Sequence, residues 1–292
     1  MNRFLFLFCL LPMTILSSFA QTDDATIPTP KKRKKGTLYA SWGYNREWYS
    51  KSSIHIHNDG PIISSPGNNA NGVPTGMTPY GNYDFTVQDA QASDKPDFGT
   101  IPKIGEITIP QFSVRLGYMF NDKHDLGIEL NYDHAKYVVD DYQIVNVHGQ
   151  VNGQQVNFTG QLDPVNFLHF EHTDGANFMS FNLVKRWQFY NSRNKKVRLS
   201  GIAKAGPGFV YPRTDVTLFG QEINNKWHLA GYIVSAEAGF RGEFFKYIFC
   251  EWTAKAGYAN YTHSLVYKDQ GKANHKFTTI MTIFTFGFQV PL

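Results

Sequence analysis

The sequence predicts an all-β fold: an eight-stranded antiparallel up-and-down transmembrane β-barrel with short periplasmic turns and long extracellular loops. Apolar and polar residues alternate with period two in many stretches, which is the pattern of strands with two different faces. Short and long connections between these stretches alternate along the chain, as they do in barrels that cross a membrane. The first residues have the features of an export signal, which such a barrel needs.

The chain begins with a segment that has the form of a cleaved secretory signal. Arg3 precedes a short apolar run, and the small residues Ser18 and Ala20 stand before Gln21 in the pattern of a cleavage site. The apolar run is too short to cross a bilayer as a helix. We therefore predict a signal peptide at residues 1–20.

Residues 21–36 form a polar tail that contains a run of basic side chains at 31–35. The net charge of +4 arises entirely before Gly36, from this run, Arg3 and two aspartates, so the rest of the chain is neutral. A nucleic-acid-binding domain would carry its basic residues on a folded face, and this distribution argues against that class. We expect a periplasmic tail that contacts anionic lipid or another polyanion.

Eight stretches of the remaining chain alternate strictly enough to form the wall of a barrel. In one of them, Leu130 and its alternate neighbours are apolar, whereas Glu129 and Asn131 are polar. A strand places these two sets on opposite faces. The predicted strands lie at 38–45, 112–118, 126–133, 179–189, 197–205, 230–241, 248–258 and 280–290.

The connections between these strands predict which end of the barrel faces outward. Three connections are short polar turns, at 121–124, 191–196 and 242–247. The others are long and cover about 51–109, 140–176, 212–228 and 262–275. Outer-membrane barrels have short periplasmic turns and long extracellular loops, so residues 37–292 are assigned to such a barrel. Two alternating stretches, 83–87 and 143–147, predict short strands that extend it above the membrane.

Charged residues of the predicted strands fall on the face opposite the aromatic residues. A barrel of eight strands is only wide enough for side chains to fill it, so these charges must pair inside. For the hairpin of the sixth and seventh strands we predict a register that sets Arg241 opposite Glu251 and Glu237 opposite Lys255. The predicted lumen charge network comprises Arg115, Glu129, Asp133, Arg186, Arg198, Lys204, Glu237, Arg241, Glu251 and Lys255.

The most polar cluster lies just before the fourth predicted strand. In an extended chain His169 and Glu171 share one face, and His172 and Asp174 share the other. The cluster is interpreted as ordinary polar residues of a loop, with a ligand or lipid-headgroup site and catalysis as alternatives. No metal is predicted, because a metal site needs three or more converging ligands.

Two further histidines, His55 and His57, alternate on an extension of the first strand. There a solvent-exposed face is expected, and a metal-binding pair is the alternative. No Gly-rich phosphate loop, Cys-x-x-Cys pair or nucleotide fingerprint occurs in the sequence, so no cofactor is predicted.

The chain resembles eight-stranded outer-membrane barrels of the OmpA, OmpX and OmpW type, in the loop-rich form common in Bacteroidetes-like bacteria. The signal, the strand count and the last strand, in which Phe284, Phe286 and Phe288 alternate, carry the resemblance. It implies location in the outer membrane, contact with its lipid and LPS, and insertion by the barrel-assembly machinery, which recognises such a last strand in these families.

The leading functional prediction is non-enzymatic: a structural or surface-interaction role, with the loops 51–109 and 140–176 meeting LPS or an extracellular ligand. One alternative is an outer-membrane lipid-modifying enzyme. His172-Thr173-Asp174 is similar to the His-x-Ser of lipid A deacylases, with Asp174 at the position of the nucleophilic Ser. The other alternative is a narrow channel for small apolar solutes.

Overall fold

The computed structural model describes residues 36–94, 111–120, 124–172 and 175–292. The predicted signal peptide, and the basic tail up to Lys35, lie outside the described residues. Every regular element in the described part is a β-strand, and none of it forms a helix long and apolar enough to cross a membrane.

The described residues form seventeen strands, numbered β1 to β17 in chain order. Their bounds are β1 Thr37–Tyr49, β2 Ser52–Asp59, β3 Asn82–Ala90, β4 Ala92–Ser93, β5 Phe112–Met119, β6 Leu126–His134, β7 Tyr137–Val139, β8 Ile144–Val151, β9 Gln154–Gln161, β10 Leu168–His172, β11 Phe178–Asn191, β12 Val197–Val210, β13 Asp215–Leu218, β14 Gln221–Asn224, β15 Gly231–Phe244, β16 Ile248–Tyr267 and β17 Gly271–Pro291.

Eight of these strands form a closed ring. In order around it they are β1, β5, β6, β11, β12, β15, β16 and β17, each antiparallel to the next. β17 then pairs with β1 from Thr37↔Pro291 to Tyr49↔Thr279, which closes the ring. The predicted eight-stranded antiparallel barrel is confirmed, and each predicted strand coincides with part of one of these eight to within one residue. We call the end that holds Thr37 and Pro291 the lower end, and the opposite end the upper end.

The outer face of the barrel is apolar. Along β15, for example, Tyr232, Val234 and Phe240 point outward and are exposed, whereas Glu237 and Arg241 point inward and are buried. The exposed apolar side chains form a continuous belt around the ring, because neighbouring strands keep the same inside and outside. The belt includes Leu38, Trp42, Trp48, Leu116, Leu130, Phe181, Leu183, Trp187, Trp252, Ile280, Phe284, Phe286 and Phe288.

The belt has an upper boundary on the two longest strands. The outward positions of β17 from Val290 up to Ile280 are apolar except for Thr282, and the next ones above are polar, at Thr278 and Lys276. On β16, Tyr258 is the last large apolar residue at an outward position before Asn260. Both strands continue beyond this level, so the upper part of the molecule lies above the apolar belt.

Above the belt, two sheets pack together into a domain that we call the cap. The first sheet continues from the upper part of β17 through β2, β3 and β8 to β9. The second has the order β14-β13-β10-β7-β4. The cap comprises these strands together with the upper part of β16, from Tyr261 onward, and the upper part of β17, up to His275.

The two sheets of the cap enclose a hydrophobic core that continues into the barrel. Apolar side chains from both sheets meet there, and the rings of Phe85 and Phe167 lie 5.3 Å apart. The core continues downward into the upper lumen of the barrel, where it includes Phe277, Met281 and Ile283. Its buried members in the two sheets include Ile54, Ile56, Val87, Val147, Val156, Leu168, Phe170, Val216 and Leu218.

The four connections predicted as long loops differ from the structure. At 262–275 the prediction is wrong, because β16 runs to Tyr267 and β17 begins at Gly271, which makes a tight hairpin. The short strands predicted at 83–87 and 143–147 are confirmed as β3 and β8. The structure also contains β9, in which Val156 and Phe158 are the only large apolar side chains, and the shorter β10, β13 and β14, none of which is predicted. Strands of four or five residues place so few side chains on each face that alternation hardly distinguishes them from loops.

Candidate functional site

The predicted lumen charges lie on the inner face of the barrel wall. Nine of the ten are buried, and Arg198, at the lower end, has a side chain that is 40% exposed. The predicted register is confirmed, since Arg241 pairs with Glu251 and Glu237 pairs with Lys255 across β15 and β16. Alternation therefore places the charges on the correct face and at the correct height.

The centre of the lumen is filled by a network of ion pairs. The Lys204 ammonium contacts three carboxylates, those of Glu129 at 2.9 Å, Glu251 at 2.8 Å and Glu237 at 3.3 Å. A second group forms around Asp133. Because each charge of this network has a partner of opposite sign, the network satisfies groups that would be costly if left unpaired.

The group around Asp133 shows that ion pairs cross the lumen as well as follow the register. The Asp133 carboxylate accepts hydrogen bonds from Arg115 at 2.6 Å and from Lys255 at 2.7 Å. Lys255 thus pairs with a residue 122 positions away, although Glu237 is its neighbour on the adjacent strand. The alternation of a single strand pair cannot reveal such a contact.

A second layer of charges lies toward the lower end. Arg241 donates to Glu251 at 2.7 Å and to Glu243 at 3.2 Å, and its guanidinium lies 3.5 Å from the ring centre of Phe249. Glu243 also binds Arg186 and Arg198. Glu243 is not among the predicted lumen charges, because the predicted sixth strand ends at 241, whereas β15 continues to Phe244.

The polar cluster of β10 separates into two faces, as alternation predicts. On the outer face His169 lies 2.6 Å from Asp141 and 3.2 Å from Glu171. The hydrogen bond with Glu171, together with the bond to Asp141, raises the pKa of His169 above its ordinary value. These three groups form a partly exposed ion-pair cluster on the surface of the cap.

His172 lies on the opposite face of β10, inside the core. Its Nε2 is 3.1 Å from Nε2 of His275, and its Nδ1 is 3.1 Å from the hydroxyl of Thr214. Burial lowers the pKa of His172 well below its ordinary value and that of His275 to about 3. Both imidazoles are therefore neutral at physiological pH, and one donates a hydrogen bond to the other. The ring of Tyr261 stacks on both.

The candidate cluster therefore does not converge on one site. His169 and Glu171 face outward and His172 faces inward, while Asp174 lies outside the described residues. No group of three or more His, Cys, Asp or Glu side chains in the described part is arranged to hold a metal ion. The contact between His172 and His275 joins residues 103 positions apart, and no local pattern in the sequence indicates it.

The two histidines predicted above the first strand lie on β2, which continues alongside β17 where β1 ends. The rings of His55 and His57 stack with their centres 5.5 Å apart, and His55 is 2.7 Å from Asp84. His57 also lines an open polar cleft of about 410 Å³, together with Lys272 and neighbouring residues. His55 and Asp84 are exposed on the cap surface, whereas Nδ1 of His57 is buried and finds no hydrogen-bond partner among the described residues.

The comparisons with known proteins give distant structural likenesses. No family model matches the chain, and no curated protein matches it. The chain is similar to Ail, the attachment invasion locus protein of Yersinia pestis, at 12% identity and a TM-score of 0.30, covering 88% of this chain and 99% of that one.

Two further solved structures show likenesses of the same kind. Neisserial surface protein A is 9% identical with a TM-score of 0.30, and the match covers 87% of this chain and 97% of that one. A Pseudomonas aeruginosa FadL homologue is 11% identical with a TM-score of 0.15, and the match covers 89% and 90% of the two chains. The strand order and register of this chain are what define it as an eight-stranded antiparallel barrel.

Proposed function

We propose that this protein is an integral outer-membrane protein that presents a folded β-domain at the cell surface on a closed barrel. Its role is then structural or one of surface interaction, with LPS or an extracellular ligand as the partner of the cap. The observation that carries the proposal is the combination of a filled lumen with a cap whose two sheets enclose a hydrophobic core. In this proposal the barrel anchors the protein in the membrane, and the cap contacts the partner.

The apolar belt supports placement in a membrane. Large apolar side chains are exposed around the whole ring, and Phe240 is 62% exposed. Soluble proteins do not expose contiguous apolar surface of this extent, whereas the lipid-facing side of a transmembrane barrel requires it. Insertion by the barrel-assembly machinery, with LPS around the upper part of the belt, belongs to the same proposal.

The filled lumen supports an anchor rather than a channel. Ion pairs occupy the centre and the lower part of the barrel, and the apolar core of the cap occupies the upper part. A solute would have to break buried ion pairs to pass, which costs several kcal/mol for each pair. We therefore propose no conducting path through this barrel.

Labelling in intact cells tests the proposed orientation. Cys250→Ala removes the one cysteine of the sequence that lies outside the predicted signal peptide. In this background, Ile144→Cys places a thiol on the cap and Arg193→Cys places one in the turn between β11 and β12. We expect a membrane-impermeant maleimide to label the first in intact cells. The second should react only after the outer membrane is permeabilised. Labelling of Arg193→Cys alone in intact cells would overturn the proposal.

A further inference from the structure

Three strands terminate the sheets of the cap, and they differ in how their edges are protected. β14 has four residues and contains Glu222, and β4 has only two residues. Short length and charge are common ways to prevent an edge from pairing with another chain. The barrel has no edge, because β17 pairs with β1.

β9 is the exception among the described strands that end a sheet. Its eight residues, Gln154–Gln161, include no charged residue and no proline. Its pairing with β8 runs without a bulge from Val151↔Gln154 to Ile144↔Gln161. A long, regular and uncharged edge of this kind is a template for pairing with a further strand.

The backbone of β9 shows which groups are open. Asn152 and Gly153, with φ of 57° and 74°, form the two-residue turn between β8 and β9, so Val151 and Gln154 are the first hydrogen-bonded pair of the ladder. Every second residue after Gln154 then directs its N–H and C=O away from β8. Within the described part of the chain, no turn or loop backbone bonds to these positions. They are Gln155, Asn157, Thr159 and Gln161.

We propose that the edge of β9 pairs with β9 of a second copy of this chain, antiparallel, so that two caps share one continuous sheet. The proposal rests on the proposed function, because the edge must stand outside the membrane to meet another copy. A two-fold axis sets each strand opposite itself, which would place like charges together in a charged strand. β9 avoids this, since its outward side chains are amides and a hydroxyl.

The inner face of β9 fits the same partner. Val156 is buried, while Phe158 is only half-buried, with its ring 5.8 Å from that of Phe167. A second copy would bring its own Val156 and Phe158 to the open side of this ring. The pairing would therefore extend the hydrophobic core of the cap across the junction, in addition to satisfying the open backbone groups.

Disulfide trapping in outer membranes tests the pairing. In a Cys250→Ala background, single substitutions such as Asn157→Cys and Thr159→Cys place thiols at hydrogen-bonding positions of the proposed junction. Facing Cα atoms lie about 5.5 Å apart there, which a disulfide spans. We expect mild oxidation to give a disulfide-linked dimer for at least one of the single-cysteine variants at positions 155–161, because a two-fold axis that passes through this part of the strand sets one of these residues opposite its own copy.

The control is His148→Cys, an exposed residue of β8 that lies opposite Asn157. Across the junction its two copies would be about 14 Å apart, too far for a disulfide. Impermeant maleimide labelling of Asn157→Cys in intact cells separates two kinds of failure. Labelling without self-cross-linking at any position from 155 to 161 overturns the pairing and leaves the proposed function intact. Absence of both labelling and cross-linking overturns the proposed function. Cross-linking only to a different protein also overturns the proposed pairing.

A backbone variant tests whether hydrogen bonds hold the junction. Asn157→Pro removes an N–H that points to the free edge, where proline is tolerated within a sheet. The two-fold axis removes the bond twice, so we expect the dimer dissociation constant in detergent micelles to rise at least about tenfold. Asn157→Ser keeps the N–H and should leave it unchanged. Equal dissociation constants for the two variants would contradict the proposal.

Discussion

The barrel and the cap are both built from strands in which apolar and polar side chains alternate, but their apolar faces point in opposite directions. In the barrel, apolar side chains point outward and buried ion pairs fill the inside. In the cap, apolar side chains point inward and polar ones such as Asn146 and Asn157 point outward. Alternation alone therefore does not tell which face is solvent. The surroundings of each region, lipid for one and water for the other, decide it.

The largest expected effect comes from breaking the network of the lumen. Arg115 is almost completely buried and binds Asp133 at 2.6 Å. Arg115→Met removes one of the cations that neutralise the buried Asp133 carboxylate. We expect a loss of about 3–5 kcal/mol in the free energy of unfolding. Urea titration in lipid vesicles measures it.

Arg198→Met is the matched control, since the side chain of Arg198 is 40% exposed. Exposed ion pairs contribute about 0–1 kcal/mol. If the two variants lose equal stability, the central ion pairs are not what holds the barrel together.

A large effect confined to the cap is expected from its core. Phe170 on β10 is fully buried between the two sheets. Phe170→Ala removes about 3–5 kcal/mol of packing, and we expect cap amides to exchange their hydrogens at least about a hundredfold faster. The lower strands of the barrel should keep their protection. Ile144→Ala, on the cap surface, should change neither region. Uniform loss of protection would mean that cap and barrel unfold as one unit.

A charge placed on the outer faces distinguishes belt from cap. Ala238 lies in the middle of β15 on the lipid-facing side, and Ile144 is 70% exposed on the cap. Ala238→Arg should cost about 2–4 kcal/mol near the membrane midplane, whereas Ile144→Arg should change stability by less than about 0.5 kcal/mol. Unfolding in vesicles compares the two variants. A larger loss of stability for Ile144→Arg than for Ala238→Arg would show that the belt is not the part of the protein that lies in the membrane.

The smallest effect in this series is the pH dependence of the cap. Burial lowers the pKa of His275 to about 3 in the folded protein, against about 6.5 when unfolded. The unfolded chain therefore binds more protons below about pH 6.5, and cap stability falls as the pH drops. His275 contributes about 2 kcal/mol to this loss at about pH 5, and His172, whose pKa burial also lowers, acts in the same direction. Hydrogen exchange of cap amides at several pH values measures this dependence.

Two variants separate the histidines of the cap. His275→Phe removes one titrating group from the core and should flatten the acid side of the profile. His169 acts with the opposite sign, because Glu171 raises its pKa, so its contribution is present at low pH and is lost as the pH rises. His169→Gln should therefore leave the acid loss in place. An unchanged acid profile in His275→Phe would show that another group is responsible.

Much of the barrel can be predicted from the sequence, because each wall strand is long enough for alternation to define its faces. The pairing of Arg241 with Glu251 follows from that alternation and a short turn. The contact of Lys255 with Asp133 does not, since it crosses the lumen between distant strands. The register of neighbouring strands is local information, whereas contacts across a closed ring depend on its completed geometry.

The cap is harder to predict for two physical reasons. β13 and β14 have four residues each, so their pattern is lost among the Gly, Pro and Asn of their connections. The core also joins residues that are far apart in sequence, such as His172 and His275. Their apolar surroundings exist only after both sheets have formed, so the sequence predicts His172 at a polar loop and the structure buries it.

The central claim is that the belt faces lipid and the cap faces water. Paramagnetic relaxation by lipids that carry a nitroxide on the acyl chain, in nanodiscs that contain the full chain, tests it most directly. We predict strong broadening of the signals of Val234, Ala238 and Ile280, and none for Ile144 and Val165 of the cap. Equal broadening in both regions, or broadening of the cap alone, would contradict the account.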